Sequence, residues 1–173
     1  RDSNHADGVR GGFLVWGDPG LFEATLAIVK KLIAAVDADG GVPIELNVIP
    51  GISSSLSLAS RHQIPLNRQG RALQISPARL LANGMPEGVD DVIVMLDGRQ
   101  TFSLIDPTDI DIYWAAYIGT PDEILISGDL AEVREEIRSA RADAETGFGS
   151  LVDPYLLRSS ASPVIVTVST RSQ

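Results

Sequence analysis

Along this chain, short continuous apolar runs alternate with stretches whose apolar residues recur at helical spacing. Residues 12–16 form one such run, which reads as a buried strand ending at Gly17-Asp18-Pro19. Over residues 21–36, Leu21, Phe22, Leu26, Ile28, Val29, Leu32 and Ile33 then fall on helical spacing, and the polar cluster at residues 37–41 stops that helix. Residues 44–49 predict a second strand. Residues 53–62 predict a short helix opened by serines, which can cap the exposed backbone N–H groups of a first turn. Strand, helix, strand, helix is the pattern of parallel α/β architecture.

Residues 65–70 (Pro-Leu-Asn-Arg-Gln-Gly) read as a linker, after which the pattern restarts. A strand is predicted at residues 72–75, and a helix at residues 77–82, opened by Ser76 with proline at its first position. Residues 91–96 (Asp-Val-Ile-Val-Met-Leu) make a strongly apolar strand ending at Asp97-Gly98. Residues 112–118 make another, and residues 123–127 can pair with it across Gly119-Thr120-Pro121-Asp122. A charged amphipathic helix follows at residues 130–144, and residues 163–169 alternate like a final strand. Two α/β domains are expected, residues 1–68 and 69–173, with no internal repeat.

Composition narrows the class. With 173 residues, 44% of them hydrophobic, the chain can bury one good core or two small ones. No apolar run approaches the roughly 20 residues of a membrane span, and no basic-then-apolar signal pattern opens the chain. The absence of cysteine excludes disulfides, thiolate catalysis and thiolate-bound metals. A cytoplasmic protein is the expectation. A formal net charge of −9 argues against a nucleic-acid partner, whose affinity would rest on phosphate neutralisation. That charge is unevenly placed. Residues 46–86 hold no Asp or Glu, yet they carry Arg61, His62, Arg68, Arg71 and Arg79. Such a stretch is either a solvated face or a local positive field that receives an anionic ligand. The nearby turns favour the second.

Most catalytic sets are missing. His5 and His62 cannot build a paired-histidine metal site, and Asp109-Ile110-Asp111 reads more simply as a solvated turn than as a divalent-ion site. There is no Gly-x-Ser-x-Gly elbow, no Gly-x-x-x-x-Gly-Lys loop and no Gly-x-Gly-x-x-Gly loop. What remains is a site made largely of backbone: residues 15–19, residues 48–55 (Val-Ile-Pro-Gly-Ile-Ser-Ser-Ser) and the strand end Met95-Leu96-Asp97-Gly98. Glycine there permits close approach of a ligand, which would bring its own reactive group while the protein binds and orients it. Asp18 either accepts from an amine or ribose hydroxyl or caps the helix after it, Ser53 is likewise ligand contact or cap, and Met95 is core or site.

Four strings in order carry a resemblance: Gly-Asp-Pro-Gly-Leu-Phe-Glu-Ala-Thr from Gly17, Val-Ile-Pro-Gly-Ile-Ser-Ser from Val48, Asp-Val-Ile-Val-Met-Leu-Asp-Gly from Asp91, and Ala-Ala-Tyr-Ile-Gly-Thr-Pro-Asp-Glu-Ile-Leu-Ile-Ser-Gly-Asp-Leu from Ala115. Together they resemble the tetrapyrrole (corrin/porphyrin) methyltransferases. The resemblance implies an α/β fold of two domains, S-adenosyl-L-methionine bound in the cleft between them, and a homodimer. It also implies that Gly17 and Asp18 belong to one cofactor loop, Gly51, Ile52, Ser53 and Ser54 to another, and that Met95, Leu96 and Ala115 line the adenosyl pocket. Closer cues are residues 61–68 (Arg-His-Gln-Ile-Pro-Leu-Asn-Arg), Tyr113-Trp114-Ala115-Ala116-Tyr117 and Tyr155-Leu156-Leu157-Arg158. They imply methylation of precorrin-5 at C-1 with release of a two-carbon unit as acetate. Arg61, Arg68, Arg71 and Arg79 would then meet the carboxylates of the tetrapyrrole substrate, because a guanidinium fork pairs bidentately with carboxylate.

The family opens with a strand and a Gly-x-Gly-x-Gly type loop that have no counterpart here, so the first domain is expected to be truncated at its N-terminus. Residues 163–173 also fit the family pattern poorly. Two rival readings follow. One is a relative that methylates RNA or protein, which the acidic balance disfavours for RNA. The other is a non-catalytic ligand-binding or dimerisation fragment.

Overall fold

The structure, a computed structural model, describes residues 10–148 and 153–160. It divides into two units, Arg1–Ser53 and Ser54–Gln173. The division falls ahead of the linker at residues 65–70, because the helix that follows Ser53 packs on the second unit's sheet through Leu58.

In the first unit, α1 spans Thr25–Ala38. It starts later than the spacing predicts because Phe22 adopts a left-handed conformation (φ 53°), which no α-helix accommodates. Glu23 then takes the backbone N–H of Thr25 at 2.8 Å and its hydroxyl at 2.6 Å. The expected stop is there in detail. Gly41 N–H donates to Val36 O and Gly40 N–H to Asp37 O, with Gly40 at φ 69°, which is the double bond of a glycine-terminated helix. Leu26, Val29, Ile33 and Val36 are half-buried, while Ile28 and Leu32 are exposed. The strands expected at residues 12–16 and 44–49 are corrected: neither segment joins a ladder, and Phe13, Leu14, Trp16, Ile44 and Val48 are exposed. An apolar run becomes a strand only when neighbours take up its backbone donors and acceptors. None does so among the described residues.

The second unit opens with α2 (Ser54–Arg61), close to the expected bounds. It then builds a five-stranded sheet from β1 (Leu73–Pro77), β2 (Asp91–Met95), β3 (Ile110–Ala116), β4 (Ile124–Asp129) and β5 (Tyr155–Ser159), in the order β1-β2-β5-β3-β4. Only β1 and β2 pair in parallel; β5 runs antiparallel to both β2 and β3, and β4 antiparallel to β3. The sheet is therefore mixed, and the pairing expected across Gly119-Thr120-Pro121-Asp122 is present as β3 with β4. β1, β2 and β3 nevertheless point the same way, so their C-terminal ends share one edge. The helix expected at residues 77–82 is a single 3₁₀ turn, Ala78–Leu81, since Pro77 stays extended (φ −70°, ψ 141°). The charged helix, α3, runs Leu130–Phe148. The strand expected at residues 163–169 lies outside the described residues.

Side chains alternate across this sheet as the pleat requires. On one face Val92, Val94, Ile112, Trp114, Tyr155 and Leu157 pack against Leu130 and Ile137 of α3, together with Leu81 and Phe102. On the other face Ile93, Ala115 and Leu156 pack against Leu58 of α2, flanked by Met95 and Tyr113. No helix among the described residues is long and apolar enough to cross a membrane.

Candidate functional site

In the first unit the two turns singled out from sequence are joined by one side chain. Asp18 accepts from Gly20 N–H through Oδ1 at 2.7 Å and from Gly51 N–H through Oδ2 at 2.9 Å. It does not cap α1, whose first turn begins after Ala24 with no side-chain cap. Gly17 sits at φ 74°, and Gly51 lies so near the Gly17 carbonyl that a Cβ at residue 51 would overlap that oxygen. Glycine is favoured at residue 17 by its dihedral angle and required at residue 51 by space. Ile52 is exposed, and Ser53 is buried and directly precedes α2. The result is a glycine-lined backbone surface fastened by a carboxylate across 33 residues of sequence.

In the second unit the register brings Met95 and Ala115 level. Val94 and Trp114 both oppose Tyr155, from its two sides, so the next residues of β2 and β3 flank Pro154. The Ala115 N–H donates to Pro154 O at 3.4 Å. Both side chains belong to the α2-facing side, with one strand between them, hence about 10 Å apart. Leu96, which ends β2, is left-handed (φ 58°) and 52% exposed. Small ligands of α/β proteins gather at such C-terminal strand ends.

Ser54 opens α2 and is partly exposed. His62 follows α2 and places Nε2 3.0 Å from Trp114 O. A carbonyl only accepts, so Nε2 carries the proton in the neutral ring. Burial pushes the His62 imidazole below its ordinary range, opposed by the Trp114 carbonyl and by Glu123.

The four arginines do not converge. Arg61 forms an ion pair with Glu123, whose carboxyl is held below the usual range first by that guanidinium and then by the Gly119 N–H. Arg61 and Arg79 belong to the C-terminal edge of the sheet: Glu123 lies in the loop after β3, and Arg79 follows β1. Arg68 and Arg71 stand at the opposite edge, paired with Asp91 at 3.1 Å and Asp90 at 2.5 Å where β2 begins. The strand length separates the two sets by about 13 Å at 3.3 Å per residue. Arg79 is exposed and has no carboxylate partner among the described residues.

Sequence reasoning passed over two buried networks. Asp97 receives Tyr155 OH and two backbone N–H groups. Asp153 receives Trp114 Nε1–H and Arg141, whose Nε–H also donates to Glu145. The Asp-Gly pair after the apolar run at residues 91–96 was the available signal for the first; nothing in the spacing marks the second. No cluster of three or more His, Asp or Glu side chains suited to a metal ion occurs among the described residues.

Comparison with known proteins places these features in context. The family model of the tetrapyrrole (corrin/porphyrin) methylases matches residues 3–134. The chain is 45% identical over 151 residues to a precorrin-6A synthase [deacetylating] from Sinorhizobium sp, covering 87% of this chain and 56% of that protein. Among solved structures it is similar to a cobalamin synthesis related protein (CobF) from Corynebacterium diphtheriae, with a TM-score of 0.77 and 31% identity over 85% of this chain and 60% of that one. A uroporphyrin-III-C-methyltransferase from Thermus thermophilus shares the fold at a TM-score of 0.52 and 20% identity, covering 83% of this chain and 58% of that one. The chain thus spans less than two thirds of the length of each of these relatives.

Proposed function

The chain belongs to the tetrapyrrole (corrin/porphyrin) methylases, and from that membership we propose that the protein is an S-adenosyl-L-methionine-dependent C-methyltransferase of corrin biosynthesis. Its substrate is precorrin-5, methylated at C-1 with release of acetate to give precorrin-6A; the likeness to the Sinorhizobium relative supports this choice. The observation that carries the cofactor reading is the Asp18–Gly51 bond, which holds two glycine-bearing turns against each other. Glycine in such turns lets a ligand approach the backbone closely. Gly17, Asp18, Gly51, Ile52, Ser53 and Ser54 are the proposed cofactor contacts from the two turn segments, and Met95, Leu96 and Ala115 are the proposed apolar contacts of the adenosyl group.

The bound cofactor supplies an electrophilic methyl group on a sulfonium. The chain's own residues need only bind, align and exclude water, and alignment of reacting atoms is itself worth several orders of magnitude in rate. Arg61 and Arg79 are the proposed partners of substrate carboxylates at the C-terminal sheet edge. A homodimer and a cytoplasmic location belong to the same proposal, on the strength of the family resemblance and the cysteine-free composition.

Titration calorimetry with S-adenosylhomocysteine tests the reading. One saturable site per chain is expected, and Asp18→Ala should abolish it by releasing the Gly51 turn. A wild-type chain that gives no heat overturns the cofactor assignment. Binding without turnover of precorrin-5 would instead favour a non-catalytic ligand-binding role, a reading that the 56% coverage of the relative keeps in view.

A further inference from the structure

The carboxylate of Asp97 is 2% exposed. Oδ1 accepts from Arg99 N–H at 3.1 Å and Thr101 Oγ1 at 3.0 Å; Oδ2 accepts from Thr101 N–H at 2.6 Å and Tyr155 OH at 2.7 Å. Three of these donors lie within four residues of Asp97, and the fourth comes from β5, 58 positions along the chain. Tyr155 is fully buried, set between β2 and β3 and edge-on to Phe102 at 5.6 Å. Its hydroxyl is held well above the ordinary phenol range, first by burial and then by Asp97, so it stays a donor.

The loop that this carboxylate organises is conformationally costly. Leu96 (φ 58°) and Gln100 (φ 56°) are both left-handed and neither is glycine. Such backbone persists only where its surroundings over-determine it, and it concentrates at functional sites. Leu96 stands at the end of β2, on the edge where three strands finish together, and offers a large apolar side chain half in water.

We propose that Asp97 and Tyr155 form a buried clamp that fixes the Leu96 turn in its ligand-receiving conformation, which makes Tyr155 a positioning residue for the adenosyl side of the site. This rests on the cofactor reading above for what the turn receives. The clamp itself follows from the hydrogen bonds and dihedral angles. Tyr155 transmits the position of the sheet centre to a loop that its local donors alone would leave free to swing as a unit.

Tyr155→Phe tests it, because the ring and its contact with Phe102 remain and only the donor goes. Amide hydrogen exchange at Arg99 and Thr101 should quicken in the variant, and S-adenosylhomocysteine affinity should fall about tenfold, a change of one pK unit in Kd. Ile137→Val serves as the control, loosening the same core from α3 while leaving every donor to Asp97 in place; its Kd should stay within about twofold of wild type. Unchanged exchange in Tyr155→Phe overturns the clamp. Quickened exchange with unchanged affinity, or equal loss of affinity in Ile137→Val, overturns the positioning role. If Tyr155→Phe does not fold, Asp97→Asn weakens the same bond from the acceptor side and is read in the same way. A wild-type chain that ignores S-adenosylhomocysteine defeats the cofactor reading and with it the positioning role, while the exchange comparison still decides the clamp.

Discussion

Asp153 shows how one residue's surroundings decide its chemistry. It is fully buried, accepts from Trp114 Nε1–H, and pairs with Arg141 at 2.6 Å. Burial outweighs that cation and pushes the carboxyl up to about 6, helped by Asp97 nearby. Between the unfolded value near 4 and this one, the folded state holds a proton that the unfolded chain has released. The stability that Asp153 contributes is therefore fully present below about pH 4 and is lost as pH rises through about 6. Subtracting the Tm–pH curve of Asp153→Asn from that of wild type should leave a component falling across this window. A flat difference curve would refute the assignment. None of this is visible in the spacing of Trp114, Arg141 and Asp153, which meet only when β3, α3 and the approach to β5 are assembled. Asp18 is similar. Its place in a Gly-Asp-Pro turn was plain, but its partner, Gly51, was not.

At the scale of elements, the apolar pattern located α2, β2, β3, β4 and α3 to within a few residues. Each has a local signature: a serine-led start, a short apolar run bounded by turn residues, or a charged face with helical period. β5 shows in the sequence only as the string Tyr155-Leu156-Leu157-Arg158, although it occupies the centre of the sheet. Which strand sits centrally depends on pairing, and pairing leaves no mark on a five-residue segment. The same limit explains the mixed sheet. The two apolar runs of the first unit have the composition of strands, yet without ladder partners they are irregular, largely exposed chain. Helix α2 holds to its sheet through Leu58, which is fully buried against Ile93, Ala115 and Leu156. Leu58→Ala should therefore cost about 2–5 kcal/mol in urea unfolding, by lost burial plus the cavity left behind. A loss under about 1 kcal/mol would mean that α2 is not part of the core.

Over the whole molecule, the acid-free stretch in an acidic chain was legible as a field but not as a place. Folding sends its arginines to two ends of one sheet and neutralises those at one end with Asp90 and Asp91, which lie just outside the stretch. Arg79→Gln should weaken tetrapyrrole binding about tenfold and leave S-adenosylhomocysteine affinity unchanged. Arg68→Gln should instead lower Tm, since Asp91 is fully buried and would keep only Arg158. Equal effects of both changes on substrate affinity would return the four arginines to a single group.

Family membership, the order of most elements and the identity of the two glycine turns follow from the chain alone. They depend on local dihedral preference, on apolar period and on strings short enough to read in one piece. The centre of the sheet, the bond from Asp18 to Gly51, the level placement of Met95 and Ala115, and the carboxylates buried at positions 97 and 153 belong to the tertiary structure. Each depends on atoms far apart in sequence, whose meeting is set by strand register and by the need to satisfy every polar group that burial removes from water.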